Sequence, residues 1–294
     1  MKILNFGSLN YDYTYSVDHI VAPGETQSTH EMNTYCGGKG LNQSIAIARA
    51  GAEVYHAGQV GEDGADLIKL MADSGVKTEL VKTVEGRSGH TIIQVDKNAE
   101  NCILLFGGAN MSQTREYVDE VLSHFEKGDI ILLQNEINEL DYIIDQAYAK
   151  GLKIVLNPSP FNKRLDNCDM SKISVFLMNE VEGYQLTGKE APEEILEASG
   201  EKFPEADIVL TLGSHGSKYM TDGKVYDQCC YNDGKVDTTA AGDTFTGYFL
   251  AGLIEGLPVE ERMKLAAKAA SIACSRAGAA PSIPTRDEVS IKGL

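Results

Sequence analysis

Four short segments are apolar at consecutive rather than alternate positions, and this constrains the fold more than any other feature of the chain. They are Ile130-Ile131-Leu132-Leu133, Ile154-Val155-Leu156, Val175-Phe176-Leu177-Met178 and Ile208-Val209-Leu210, closed by Gln134, Asn157, Asn179 and Thr211. A strand with one wet face alternates, so an unbroken apolar strand is one buried on both faces, as in a parallel sheet covered by helices. Helix-like stretches over 113–126, 139–150, 180–188 and 193–202 separate these runs, with Gly128 and Gly151 placed to cap two of them. The alternation implies an α/β fold: a doubly wound, mainly parallel sheet flanked by helices, with right-handed crossovers. Ligands of such sheets bind beyond the carboxyl ends of the strands. Gln134, Glu136, Asn157, Asn179 and Thr211 are therefore site candidates by topology, and for any one of them a solvated loop residue is the equal alternative.

Two segments break the pattern. Residues 12–35, with a Pro23-Gly24 turn, and residues 89–106, with a polar turn at 97–100, are expected to be antiparallel strands forming a small sheet that covers the core or contacts another subunit. No Pro- or Ser-rich linker divides the chain, so residues 1–294 are expected to form a single domain with this sheet inserted. The six cysteines contain no CxxC pair, which reads as reduced thiols in a cytoplasmic protein. No apolar stretch approaches membrane-spanning length, so a soluble chain is expected. With 26 Lys+Arg against 43 Asp+Glu, the net charge of −17 disfavours nucleic acids and anionic membranes as partners. Phosphate, if handled, must be met by local dipoles and a few placed cations.

Two glycine-rich motifs carry the chemistry. Gly37-Gly38-Lys39-Gly40-Leu41-Asn42-Gln43 precedes a helix over 44–50 ended by Gly51. It lacks P-loop spacing, and no GxGxxG, HExxH or GxSxG occurs, so dinucleotide, zinc-protease and serine-hydrolase templates fall away. Asp237-Thr238-Thr239-Ala240-Ala241-Gly242-Asp243-Thr244-Phe245 runs from an expected strand end into an apolar helix over 248–254. Small residues at 240–242 free successive N–H groups to point at an anion, with Asp243 in the first helical turn. A carboxylate beside an anion hole suits phosphoryl transfer, one group taking an alcohol proton and donors receiving the developing charge.

Together with Asn10-Tyr11-Asp12 and Asn179-Glu180-Val181-Glu182, these motifs resemble the ribokinase family of carbohydrate kinases along essentially the whole chain. The resemblance implies an ATP-dependent transfer of the γ-phosphoryl group to the primary 5-hydroxyl of D-ribose. A ketohexose such as fructose, another pentose or a nucleoside is the alternative acceptor, and a non-catalytic sugar-binding regulator is the remote alternative. It implies Asp243 as catalytic base, the backbone of Ala240, Ala241 and Gly242 as anion hole, and Asn10, Asp12, Gly38, Lys39, Asn42 and Glu136 as sugar ligands. Asn179, Thr211, Gly213, Ser214, Gly216 and Gly242 would meet ATP, with Asn179 and Glu182 ordering Mg²⁺ through water. Asp237, Thr239, Ala273, Arg276, Gly278 and Ser282 would form a K⁺ site. The 12–35 and 89–106 segments would be a lid that also forms a homodimer. Tyr11, Tyr13, Tyr15, His90, Thr91 and Phe106 depart from the family's pattern there, with Tyr11 and Phe106 open to packing, dimer or sugar-stacking roles.

Overall fold

A computed structural model describes residues 1–98 and 100–289. Ala99, within the expected turn at 97–100, and residues 290–294 lie outside the described residues. The strands are β1 (Ile3–Phe6), β2 (Asn10–Ser16), β3 (Glu31–Gly37), β4 (Val54–Val60), β5 (Lys77–Thr83), β6 (Gly89–Val95), β7 (Asn101–Phe106), β8 (Ile130–Gln134), β9 (Lys153–Asn157), β10 (Val175–Asn179), β11 (Asp207–Thr211), β12 (Ser217–Thr221) and β13 (Lys224–Gln228). The helices are α1 (Lys39–Arg49), α2 (Ala65–Asp73), α3 (Arg115–Leu122), α4 (Leu140–Lys150), α5 (Glu180–Thr187), α6 (Pro192–Lys202), α7 (Ala241–Ile254) and α8 (Val259–Cys274).

The large sheet runs β13-β12-β11-β10-β9-β8-β1-β4-β5, parallel from β5 to β11 and antiparallel only where β12 and β13 close one edge. The four apolar runs are its central strands β8 to β11. Their residues divide alternately between two cores. Ile130 and Leu132 join a core built with α1, α7 and α8, while Ile131 and Leu133 join one built with α3, α4 and α6. This is why they read as continuous: both faces are covered.

Several boundaries differ from the sequence reading. α3 covers only Arg115–Leu122, because Ser123, His124 and Phe125 each turn their N–H back three residues. Gly128 therefore caps nothing and instead sits at φ 92° in the turn into β8, whereas Gly151 caps α4 as expected at φ 80°. α1 begins at Lys39 and α7 at Ala241, so each glycine motif contains the first turn of its helix instead of preceding it. No strand leads into the second motif. β13 stops at Gln228, and Val236 and Asp237 donate their N–H groups to the Cys274 carbonyl at the end of α8.

The second sheet runs β3-β2-β6-β7. It is antiparallel at both ends, but β2 and β6 pair in parallel because both leave the large sheet in the same direction, a correction to the all-antiparallel expectation. Tyr11 is buried, with its hydroxyl on the Asp63 carbonyl at 2.8 Å, so its ring packs the base of this sheet. β7 is exposed at every position.

If β8 is buried on both faces, Leu132→Ala and Leu133→Ala should each cost about 2–5 kcal/mol of unfolding free energy. Denaturant titration checks this, and a near-neutral value at either position would contradict the two-core arrangement.

Candidate functional site

The site forms where the two glycine motifs meet at the carboxyl ends of β1 and β8–β11 and the amino end of β2. Gly38 enters α1 at φ 96°, a left-handed conformation that costs glycine little. Its neighbour Gly37 lies so close to Asp12 that a Cβ there would sit 2.1 Å from Oδ2. The end of β3 thus packs onto β2, which holds Asn10 and Asp12, and a Cβ on the N-cap Gly38 would lie 3.1 Å from Asn10 N. Asn110 donates to Asn10 Oδ1 at 2.7 Å, Thr91 donates to Asp12 Oδ1, and Glu136 Oε2 accepts from the Ser8 hydroxyl and, at 3.2 Å, from the Lys39 N–H.

Burial pushes the Asp12 carboxyl up, and the Thr91 hydrogen bond offsets this only in part. Glu136 is raised for the same reason, against the opposing pull of Lys39 and Ser8. For Lys39, burial alone would lower the ammonium, but the facing carboxylates of Asp243, Glu136 and Glu182 outweigh it and hold its pKa above the ordinary value.

Ala240 starts α7 from a left-handed φ of 59°, a strained conformation for a residue with a Cβ. Among the described residues, the N–H groups of Gly242 and Asp243 in the helix's first turn meet no protein acceptor. No protein atom lies within 4 Å of where a Gly242 Cβ would be, so its glycine leaves open space and relieves no clash. Asp243 is buried and accepts from Asn42 Nδ2 on Oδ2 at 3.1 Å and from Gln43 Nε2 on Oδ1 at 2.9 Å.

Two cavities meet at this turn. One of about 230 Å³ is lined by Lys39, Asn179, Glu182, Thr211, Gly242 and Asp243, among others. The other, about 550 Å³, is lined by Thr211, Gly213, Ser214, Gly216, Ala241 and Gly242, together with residues no motif announced. Among these are Tyr231, Asn232 and Lys235 from the irregular segment, and Ser271 and Cys274 from α8. Thr211, Thr238 and Gly242 border both. Asn157, a site candidate as a strand-end residue, lines the smaller cavity, as does Thr238, a residue with no expected role.

Asn179 and Glu182 have a structural role as well, forming the capping box that starts α5: Asn179 Oδ1 accepts from Glu182 N at 3.0 Å and Glu182 Oε2 from Asn179 N at 2.9 Å. The residues expected around K⁺ come together only in part. Asp237 accepts from Thr239 and from Gly278 N, joining the segment before α7 to the turn after α8. The Arg276 guanidinium pairs with Glu288, the Ala273 carbonyl accepts from Arg276 N, and the buried Ser282 hydroxyl turns to the Ala279 carbonyl. Among the described residues, no cluster of three or more His, Cys, Asp or Glu could hold a metal.

The chain matches known proteins along nearly its whole length. The pfkB family carbohydrate kinases match residues 1–286. Ribokinase of Haemophilus influenzae is 34% identical over 293 residues, covering 96% of this chain and 95% of its own. The crystal structure of ribokinase from Thermotoga maritima superposes with a TM-score of 0.87 at 31% identity, covering 98% of this chain and 97% of its own. A structure of Arabidopsis thaliana ribokinase complexed with ribose and ATP superposes with a TM-score of 0.86 at 30% identity, covering 98% and 96%.

The raised Asp12 carboxyl makes ionisation less favourable in the folded chain than in the unfolded one, so the charge destabilises above the carboxylate range. Asp12→Asn should raise the Tm of the ligand-free protein at pH 7 by roughly 1–4 °C. The gain should vanish at a pH low enough to protonate Asp12, and a lower Tm at pH 7 would contradict the assignment.

Proposed function

The chain belongs to the pfkB family of carbohydrate kinases, and from that premise we propose that it transfers the γ-phosphoryl group of ATP to the primary 5-hydroxyl of D-ribose. Family membership makes it a phosphotransferase with an alcohol acceptor. The observation that carries the proposal is the buried Asp243 carboxylate lining the smaller cavity next to Gly242, which lines both cavities, so an acceptor and a nucleotide phosphate can meet at one helix turn. Ribose as acceptor is supported by the ribokinases among the relatives, including the one complexed with ribose and ATP.

In this reading Asn10, Asp12, Gly38, Lys39, Asn42 and Glu136 hold the sugar hydroxyls. Carboxylates and amides suit that task, since each can engage two adjacent hydroxyls. Asp243 takes the proton of the attacking hydroxyl. The N–H groups of Gly242 and Asp243, reinforced by the α7 dipole, receive the charge developing on the phosphoryl oxygens, while the Ala241 N–H is already donated to the Thr238 carbonyl at 3.2 Å. Lys39, held cationic by three carboxylates, stands beside the same cavity to offset phosphate charge. The larger cavity takes the rest of ATP along Thr211, Gly213, Ser214 and Gly216.

One amide and one carboxylate, Asn179 and Glu182, fit an Mg²⁺ carried mainly by nucleotide phosphates and water, where it would neutralise phosphate charge. Asp237 pins two backbone segments side by side, which fits a K⁺ held largely by carbonyl oxygens of Asp237, Thr239, Ala273, Arg276, Gly278 and Ser282. That ion would order the turn before α7 without touching substrate. Six free cysteines accord with the cytoplasmic setting, and no helix among the described residues is long and apolar enough to cross a membrane. The small sheet serves as lid and homodimer contact. It exposes Ile103, Leu104, Leu105 and Phe106 along β7, and the Phe106 ring lies 4.9 Å from that of His90 on β6.

The test is ATP-dependent phosphorylation across ribose, deoxyribose, fructose, other pentoses and nucleosides, with Mg²⁺ and with K⁺ or a bulky organic cation. Ribose should give the highest kcat/KM, and K⁺ should be the more effective cation. Asp243→Asn should lower kcat by roughly 10²–10⁴-fold. A different leading acceptor would move the specificity to Thr91 and Phe106, and near-normal turnover in Asp243→Asn would remove its role. For the lid, sedimentation should show a dimer that Leu104→Lys converts to monomer; a wild-type monomer would refute the contact.

A further inference from the structure

Behind Asp243 lies a line of buried amides that the transfer chemistry does not itself require. Gln43 Nε2 donates to Asp243 Oδ1 at 2.9 Å, leaving Gln43 Oε1 to accept from Gln134 Nε2 at 2.7 Å. The same Gln134 nitrogen gives its second hydrogen to Asn5 Oδ1 at 2.9 Å. Asn5 Nδ2 in turn donates to the Gly40 carbonyl at 2.8 Å and to Ser44 Oγ at 2.9 Å, and Ser44 Oγ lies 2.7 Å from His56 Nδ1.

The direction of every amide hydrogen bond in this line is determined. An ionised carboxylate and a backbone carbonyl can only accept, and these stand at its two ends. Turning the Gln134 amide over would set its oxygen against two acceptor oxygens. Its own Oε1 finds no partner among the described residues, a costly omission for a fully buried group. Space for that oxygen comes from Gly7, where a Cβ would stand 2.2 Å from it. Burial drives the His56 imidazole down to about 3, so at neutral pH it is uncharged, and the direction of its contact with the Ser44 hydroxyl follows its tautomer.

We infer that Gln43, aimed by Gln134 and Asn5, is the positioning residue that fixes the rotation of the Asp243 carboxylate toward the acceptor hydroxyl. The inference rests on Asp243 as the base. Asn42 restrains Oδ2 from the same helix, so the two amides together hold both oxygens and leave each a lone-pair direction for a further donor. Gln43 touches neither of the two cavities and acts only through Asp243.

The experiment compares kcat and acceptor KM for Gln43→Met, Gln134→Met and Asp243→Asn, and for each Met variant combined with Asp243→Asn. Thermal melts of every variant establish folding. The single Met variants should lose roughly 10–100-fold in kcat, the scale of a misplaced reacting group, with acceptor KM little moved. On the Asp243→Asn background neither should cause further loss, because the amides then have no base to aim. Normal kcat in Gln43→Met, or a full additional loss on the Asp243→Asn background, overturns the positioning role while leaving the base assignment standing. A large effect of Gln43→Met with none from Gln134→Met overturns the relay. Near-normal turnover in Asp243→Asn alone removes the base itself and so is distinguishable from either. Should Gln43→Met fail to fold, Gln134→Met carries the same comparison.

Discussion

The two hydrogen bonds from Asn42 and Gln43 to Asp243 join parts of the chain 200 residues apart, and the rest of the site depends on them. They form because α1 and α7 cross almost in backbone contact. A Cβ on Gly247 would lie 2.4 Å from the Ala46 Cβ, so only glycine permits this approach. Close crossing brings the first turns of both helices to one point. One turn presents polar side chains and the other bare N–H groups, which in the proposed reaction would meet acceptor and phosphate. Neither turn alone makes a phosphotransferase.

The site stands at a cost to stability. Asp12 and Glu136 are carboxylates whose burial disfavours their charge, and Ala240 holds a left-handed backbone. Such strain and desolvation persist at functional sites when the surrounding structure holds them in place. Here the surroundings are the close-packed ends of β1, β2 and α1, and a polar ligand would supply the missing hydrogen bonds. A chain of net charge −17 reaches phosphate in the same local way, with helix N–H groups and the lysines Lys39 and Lys235 at the two cavities.

Much of this was legible in the sequence, for physical reasons. Continuous apolar runs gave the central strands because burial on both faces leaves no polar alternation to read. The placement of Asp243 in the first turn of a helix was legible because small residues cluster just before it. What escaped was set by tertiary contact. The helix starts at Lys39 and Ala241 depend on caps with positive φ, which Gly38 suggests but Ala240 does not. The parallel pairing of β2 with β6 joins segments separated by the whole of β3, α1, β4, α2 and β5. Ser271 and Cys274 enter the nucleotide-sized cavity from a helix face that has no motif, and Gln134 reads as an ordinary strand end until its partners are in place. Tyr11, ambiguous as an aromatic in a strand, resolves into packing once its hydroxyl is seen on Asp63.

The central claim is that an acceptor hydroxyl and a nucleotide phosphate meet at the first turn of α7. A crystal structure of the protein with ribose and a non-hydrolysable ATP analogue tests it most directly. The account requires the primary hydroxyl of the sugar within hydrogen-bond distance of the Asp243 carboxylate, with the terminal phosphate over the N–H groups of Gly242 and Asp243. A sugar whose primary hydroxyl points away from Asp243, or a terminal phosphate seated elsewhere, would contradict it.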